Sequence, residues 1–192
     1  STSGSAALIA DAKAKGLSVT AETCPHYFIF DEDKLETRDA DYRMNPPLRS
    51  ARDREAIEQA LLNGTIDVIA TDHAPHTPTE KQDFLKAPNG VIGMETSFSA
   101  SYTALVATGK LSLSELIRRM SCRPAEILGL GGGTLRIGER ADLILIDENE
   151  RWTVDTHRLH GKSKNCVFKG CTLQAKVKMT VLDGRIVYNE LF

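Results

Sequence analysis

The sequence predicts an α/β fold in which helices alternate with buried strands, followed by a β-rich module. Helix-type and strand-type segments alternate between residues 6 and 71, an order typical of wound parallel α/β structure. The strand that ends at Thr71 is rich in β-branched residues, which indicates burial. Near the end of the chain, Asp183-Gly184 lies between two alternating runs, and this pair is a strong signal for a β-hairpin.

The elements of the first part follow from apolar spacing and from residues that start or stop helices. We predict a helix over residues 6–15 and a strand over residues 17–23. Pro46-Pro47 excludes a helix or a central strand at that point. Ser50 and Asp53 form a capping pattern for a second helix, and a second strand runs from 64 to 71.

The second part is predicted to begin with a long polar loop that extends from His76 to Gly93. Helices are expected over residues 95–108 and 113–121, and a shorter one begins near Pro124 and ends at Gly129.

The β-rich module follows a Gly131-Gly132-Gly133 connector. It contains a strand over residues 141–147 and a hairpin of residues 177–182 and 185–188. We therefore expect two domains, a barrel portion over 1–130 and a sandwich portion over 131–192. Two strands with helices do not make a stable open sheet, so the chain is expected to need further structure, from its own missing N-terminal part or from a second polypeptide.

Composition excludes several classes of function. The 192 residues are 41% hydrophobic and 26% charged, which is enough for a packed core, and the net charge is −2. Because the sequence has no basic stripe, we do not expect nucleic acid as a partner. No apolar run in the sequence is long enough to span a membrane. The four scattered cysteines form no CxxC motif and no signal peptide opens the chain, so we expect free thiols in the cytoplasm.

The segment Asp72-His73-Ala74-Pro75-His76 carries the strongest chemical signal, because it follows a predicted buried strand. Catalytic groups collect at the carboxyl ends of parallel strands, and a carboxylate there can bind a metal ion or act as a general base. An Asp at this position can equally be a turn or capping residue. His76 is a candidate metal ligand or donor to an anionic substrate, or a plain loop histidine, whereas His73 is expected to orient the neighbouring loop.

Three other features have weaker signals. Asn45 precedes Pro46-Pro47, so its side chain could be held rigidly to bind a substrate, or it could be an ordinary loop residue. His26 follows a predicted strand, which suggests a metal ligand, but we give this interpretation little weight. The glycines at 90 and 93 lack the order of a phosphate-binding loop, although their backbone could approach a small ligand closely.

Several of these motifs, taken in order, resemble class I dihydroorotases, which belong to the cyclic amidohydrolases. The resemblance covers essentially the whole chain and is carried by these segments: Val19-Thr20-Ala21-Glu22-Thr23-Cys24-Pro25-His26, Met44-Asn45-Pro46-Pro47-Leu48-Arg49, Ala70-Thr71-Asp72-His73-Ala74-Pro75-His76, Glu80-Lys81, Ala87-Pro88-Asn89-Gly90-Val91-Ile92-Gly93-Met94-Glu95-Thr96, Ala141-Asp142-Leu143 and Lys162-Ser163-Lys164-Asn165.

The resemblance implies a (β/α)₈ TIM barrel with a small β-sandwich domain, of which this chain would be the C-terminal portion. It implies a small-molecule substrate, a homo-oligomer, and zinc-dependent interconversion of L-dihydroorotate and N-carbamoyl-L-aspartate in pyrimidine biosynthesis. Asp72 would be a zinc ligand and the catalytic acid/base, and Asn45, His76, Asn89 and Gly90 would bind substrate. By the same likeness, one zinc histidine of the family falls just before Ser1, which is why His26 is discounted.

The chain departs from the family pattern in its metal ligands. The His-x-His pair, the substrate arginine, the bridging carboxylate and both later zinc histidines are absent, so these 192 residues supply one ligand, and we expect them to be inactive alone. Two alternatives stay open: a non-catalytic dihydroorotase-like assembly subunit, and a hydantoinase-like or allantoinase-like cyclic amidohydrolase.

Overall fold

The structure is a computed structural model that describes residues 1–191 and divides into two compact units. One unit combines Ser1–Ser97 with Val154–Cys171, and the other combines Phe98–Thr153 with the chain from Thr172 onward. These units interleave along the sequence, and the division into a barrel portion and a sandwich portion at residues 130/131 stays a prediction. Over the described residues, no helix combines the length and apolar character needed to cross a membrane.

The first unit begins with helix α1, Ser3–Ala14, which starts three residues before the predicted position. The difference arises because the Thr2 hydroxyl accepts a hydrogen bond from the Ser5 amide at 3.1 Å and so caps the helix early. Gly16 has φ of +73°, the left-handed conformation that commonly ends a helix.

Two short strands of the first unit pair in parallel. Strand β1 is Glu22–Thr23 and strand β2 is Val68–Ile69, with Glu22 opposite Val68 and Thr23 opposite Ile69. The parallel arrangement agrees with the predicted wound order, but the predicted extents, 17–23 and 64–71, are wrong. A strand is defined by pairing with a neighbour, and the part of the chain that the structure describes supplies these two strands with one neighbour each.

Three helical elements lie between β1 and β2 ahead of the next long helix. Helix α2 is Pro25–Ile29, and two 3₁₀ turns follow at Glu32–Thr37 and Ala40–Tyr42. Helix α3, Ala51–Leu62, begins after Ser50, whose hydroxyl accepts a hydrogen bond from the Asp53 amide at 3.3 Å, so the predicted cap is confirmed. Its buried face packs in the core of this unit through Ile57, Ala60 and Leu61.

Residues 70–96 form a long loop, which includes the predicted loop of residues 76–93 and is longer at both ends. Within it, one isolated parallel bridge joins His73 to Val91. This bridge brings the segment after β2 beside the segment that precedes helix α4, and the candidate site is built from these two parts of the loop.

The second unit combines short helices with an antiparallel sheet. Helix α4, Ser97–Ser101, continues as a π-helical turn to Val106. Helix α5, Leu113–Ile117, leads through a π-helical turn into α6, Arg123–Leu128.

The sheet has the order β3-β4-β5. Its strands are Leu143–Thr153, Thr172–Leu182 and Arg185–Asn189. The predicted hairpin at Asp183-Gly184 is confirmed, because both residues have positive φ, +50° and +74°, as a two-residue hairpin turn of this type requires. Strand β3 extends six residues beyond the predicted 141–147.

Candidate active site

Asp72 lies three residues beyond the end of β2, at the carboxyl end of the strand pair. Its φ is +48°, a left-handed conformation that Asp tolerates better than most residues. The side chain is exposed, and none of the hydrogen bonds or ion pairs among residues 1–191 involves its carboxylate. This carboxylate is therefore available to a ligand or a proton.

The surroundings of Asp72 disfavour a second anion nearby. Burial, together with the negative charges of Asp72 and Glu22, raises the pKa of the Cys24 thiol to about 12. Burial also raises the pKa of the Tyr27 hydroxyl, again with a contribution from Asp72. Both groups are thus neutral at physiological pH.

His73 orients the loop, as the sequence analysis predicts. Its Nδ1 accepts hydrogen bonds from the amides of Gly93 at 3.1 Å and Met94 at 3.4 Å. Since Nδ1 is an acceptor, these bonds assign the proton of the neutral ring to Nε2. The bridge to Val91 adds a backbone hydrogen bond from the Ala74 amide to the Val91 carbonyl, at 2.8 Å.

His76 and Asn89 lie against one another. The Nε2 of His76 is 3.0 Å from the Asn89 carbonyl oxygen, and because a carbonyl only accepts, Nε2 carries the proton. The Asn89 side-chain oxygen in turn accepts from Nε of Arg43 at 3.3 Å. Two predicted substrate-binding residues, 13 positions apart in the sequence, are thus brought into contact.

Gly90 occupies a position that excludes any side chain. Its φ is +137°, and a Cβ atom there would lie 2.4 Å from the Cβ of Ala74 and 3.1 Å from Nε2 of His76. Its amide donates to the Arg43 carbonyl at 2.9 Å. Glycine is therefore required for the two parts of the loop to come this close.

Asn45 lines a pocket together with Asn89. It is exposed, it precedes a cis peptide bond to Pro46, and it lines a pocket of about 340 Å³ that Asn89 and Arg43 also line. Within the described chain, no hydrogen bond joins Asn45 or His76 to Asp72. The structure thus groups His76, Asn89 and Gly90 by direct contact, and Asn45 with Asn89 through the pocket.

Two residues to which the sequence analysis assigns no role have prominent contacts here. Asn165 is buried and hydrogen-bonds to both parts of the loop, and the Lys81 ammonium donates to three backbone carbonyls. Both lie in segments that carry the family resemblance, Glu80-Lys81 and Lys162-Ser163-Lys164-Asn165. Their presence in these segments was the signal that could have identified them. The sequence could not show the contacts, because the side-chain partners of Asn165 lie 75 or more residues away.

A complete metal site does not form from this chain. Across residues 1–191, no group of three or more His, Cys, Asp and Glu side chains lies close enough to hold a metal ion. Asp72 offers one suitable oxygen ligand, whereas a catalytic zinc site in proteins has three protein ligands. His26 is buried with its Nε2 unpartnered by described residues, and burial lowers its pKa to about 4.

Known proteins with related sequences are dihydroorotases. The enzyme of Citrifermentans bemidjiense is 48% identical over 189 residues, which are 98% of this chain and 44% of that protein. The Acetivibrio thermocellus enzyme is 43% identical over 191 residues, 99% of this chain and 45% of that protein. These relatives confirm the resemblance, and the chain spans a little under half of their length.

Solved structures with the same fold are hydantoinases and dihydropyrimidinases. A D-hydantoinase matches with a TM-score of 0.91 at 28% identity, covering 99% of this chain and 44% of that one. The L-hydantoinase (dihydropyrimidinase) of Arthrobacter aurescens matches with a TM-score of 0.89 at 32% identity, with coverages of 99% and 44%. The predicted fold class, an α/β chain that forms part of a TIM barrel, is confirmed by these neighbours.

The family model for amidohydrolases matches residues 4–187, nearly the whole chain. Amidohydrolases are generally metal-dependent, and the unpartnered carboxylate of Asp72 at a strand end is compatible with such chemistry. The match, the dihydroorotase relatives and the shared fold together assign this chain to the amidohydrolase family.

Proposed function

We propose that this chain is the C-terminal part of a dihydroorotase. In that enzyme L-dihydroorotate is hydrolysed reversibly to N-carbamoyl-L-aspartate, a step of de novo pyrimidine biosynthesis. The observation that carries the proposal is the exposed, unpartnered carboxylate of Asp72 at the carboxyl end of β2, in a chain 48% identical to a dihydroorotase.

Asp72 is the proton carrier in this proposal. Hydrolysis adds water to the ring amide carbonyl and breaks the bond to the ring nitrogen. The Asp72 carboxylate takes one proton from the attacking water and returns it to the departing nitrogen, and the new carboxylic acid loses its own proton to solvent. The freedom of this carboxylate from protein hydrogen bonds supports the role, since a carboxylate already engaged would be a weaker base.

The substrate is held by the loop and its neighbours. Asn45 and Asn89 both line one pocket, and His76 and Gly90 lie directly beside Asn89. Amide and imidazole groups can hydrogen-bond the carboxylate and ureido groups of the substrate.

Zinc is part of the proposal, as Lewis acid for the carbonyl and the water. This chain contributes Asp72 as one ligand, so the remaining ligands come from the N-terminal barrel half. We further propose a cytoplasmic homo-oligomer that includes this missing half. All four cysteines are free thiols, which supports a reducing compartment.

A substrate panel tests the proposal in the complete protein, loaded with zinc. Dihydroorotate and dihydrouracil form a matched pair, because they share the ring and differ by the carboxylate. We expect kcat/KM for dihydroorotate to exceed that for dihydrouracil by about 10⁴-fold, the discrimination of a site built to hydrogen-bond a group that the analogue lacks.

Other outcomes of the panel support the alternatives. Preference for hydantoin or dihydrouracil would support a hydantoinase-like enzyme, an alternative that the structural neighbours, at 28% and 32% identity, support only weakly. Absence of turnover with every cyclic amide would support the non-catalytic assembly subunit. Purified residues 1–192 alone are expected neither to bind zinc tightly nor to turn over dihydroorotate, which metal analysis and the same assay would check.

A further inference from the structure

The side chain of Asn165 joins the two parts of the loop. Its Nδ2 donates to the carbonyls of Ala74 at 3.0 Å and Gly90 at 3.1 Å, and its Oδ1 accepts from the His76 amide at 3.1 Å. Its backbone carbonyl accepts from the Ile92 amide at 3.0 Å. Both amide donors and the amide oxygen are therefore used, and the residue is 4% exposed.

Lys81 lies within this loop, and its side chain also binds backbone carbonyls around Gly90. Its Nζ donates to the carbonyls of Arg43 at 3.2 Å, Pro88 at 3.0 Å and Gly90 at 3.0 Å. An ammonium group has three donors, so these carbonyls match its full capacity. Burial lowers the pKa of Lys81, an effect that the nearby Asp41 carboxylate opposes.

The two side chains converge on one atom, the carbonyl oxygen of Gly90. A carbonyl has two lone pairs, and Lys81 and Asn165 occupy both. Since the Gly90 amide is also held, by the Arg43 carbonyl, the backbone orientation at Gly90 is determined on both sides. The preceding carbonyl, of Asn89, is the one that receives the His76 ring.

We propose that Asn165 and Lys81 are positioning residues, which set the geometry of His76, Asn89 and Gly90 without contacting the substrate. This inference rests on the proposed function, in which those three residues bind substrate. Displacement of a binding group by about 1 Å can cost about 10²-fold, and for groups that bind substrate without taking part in proton transfer we expect this cost in KM.

Steady-state kinetics of the complete protein test the proposal. We expect Asn165→Ala and Lys81→Met each to raise KM for dihydroorotate about 10- to 100-fold with kcat close to the parent value, because binding groups move while Asp72 does not. Asn149→Ala and Lys86→Met are the matched controls, since both side chains are exposed, and they should leave KM unchanged. An unchanged KM in the Asn165 and Lys81 variants would overturn the proposal.

A double-mutant cycle separates positioning from general destabilisation. If Asn165 acts through His76, then Asn165→Ala should add little to KM in a His76→Ala background. Fully additive effects on KM would contradict the inference, because they would mean that the two residues act independently.

Hydrogen exchange gives a readout that does not depend on turnover. In Asn165→Ala, peptides covering residues 74–76 and 89–92 should exchange faster while helix α3 keeps its protection. Equal acceleration in α3 would indicate a global effect and overturn the proposal. If the parent protein does not act on dihydroorotate, the proposed function fails, but the exchange pattern still decides whether Asn165 holds the loop.

Discussion

Replacement of Gly90 by alanine tests the close approach between the two parts of the loop. A Cβ at this position would overlap the Cβ of Ala74 at 2.4 Å, and φ of +137° is a conformation that L-residues rarely adopt. A strained backbone costs about 1–3 kcal/mol, and overpacking costs a similar amount. We therefore expect Gly90→Ala to destabilise the protein by about 2–6 kcal/mol in total.

Gly64→Ala is the matched control for this variant. Gly64 also has positive φ, +82°, but no atom lies within 4 Å of the point that a Cβ would occupy, so the substitution carries backbone strain alone, about 1–2 kcal/mol. Thermal unfolding of the complete protein measures the difference. Because this chain is 44% of a relative's length, a change of 1 kcal/mol should shift the midpoint of the complete protein by about 1 °C, so Gly90→Ala should lower the midpoint more than Gly64→Ala does.

The kinetic consequence of Gly90→Ala can be checked on the same preparations. The new methyl group would also lie 3.1 Å from Nε2 of His76, so KM for dihydroorotate should rise in this variant and stay unchanged in Gly64→Ala. Equal midpoints for the two variants would refute the reasoning, because they would mean that the loop does not pack as closely as the structure describes.

Three further predictions concern the groups around the site. Asp72→Asn should lower kcat about 10²- to 10⁴-fold in the complete protein, because the proton carrier is lost. Its thermal midpoint measured without zinc should be unchanged, since the side chain is exposed and has no hydrogen bond within residues 1–191; near-parent turnover would contradict the mechanism. His26 has a pKa of about 4 in the fold against 6.5 unfolded, so the unfolded chain binds the extra proton between these values. The contribution of neutral His26 to the free energy of unfolding is fully present above pH 6.5 and should fall by about 3 kcal/mol as the pH drops to 4. His26→Phe should show a smaller fall in its unfolding midpoint over this range, and an equal fall would refute the assignment. Alkylation with iodoacetamide at about pH 8, followed by peptide mapping, should leave Cys24 and Cys166 unmodified in the native protein, because burial raises their pKa to about 12 and about 11, whereas the less buried Cys122 should react first.

Features that depend on a few adjacent residues were predictable from the sequence. The Ser50 cap and the Asp183-Gly184 turn each depend on contacts within a few residues, and both form as expected. The position of Asp72 shortly after a strand was likewise predicted from the local pattern, whereas its exposure was not. The roles of Asp72, Asn45, His76, Asn89 and Gly90 in chemistry stay predictions, to be decided by the experiments above.

Strand extents were not predictable, because a strand exists through its pairing. Residues 17–21 have the alternation of a strand, yet pairing in the described chain begins at Glu22, opposite Val68. Leu17 and Val19 are correspondingly exposed. The alternation of this segment is typical of a strand, but a strand forms only where a neighbouring strand pairs with it, and the two-stranded sheet of the first unit pairs only Glu22 and Thr23.

By itself, the sequence determined that Asp72 follows a strand, that Ser50 caps a helix, and where the hairpin turns. Only the tertiary structure decided which distant groups hold the loop beside it. Asn165 reaches Ala74 across 91 residues and Gly90 across 75, and no local pattern encodes such contacts. The physical reason is that a helix cap or a turn depends on hydrogen bonds within a few residues of the chain. The buried carbonyl of Gly90 instead needs hydrogen-bond donors, and only the folded chain decides which donors reach it.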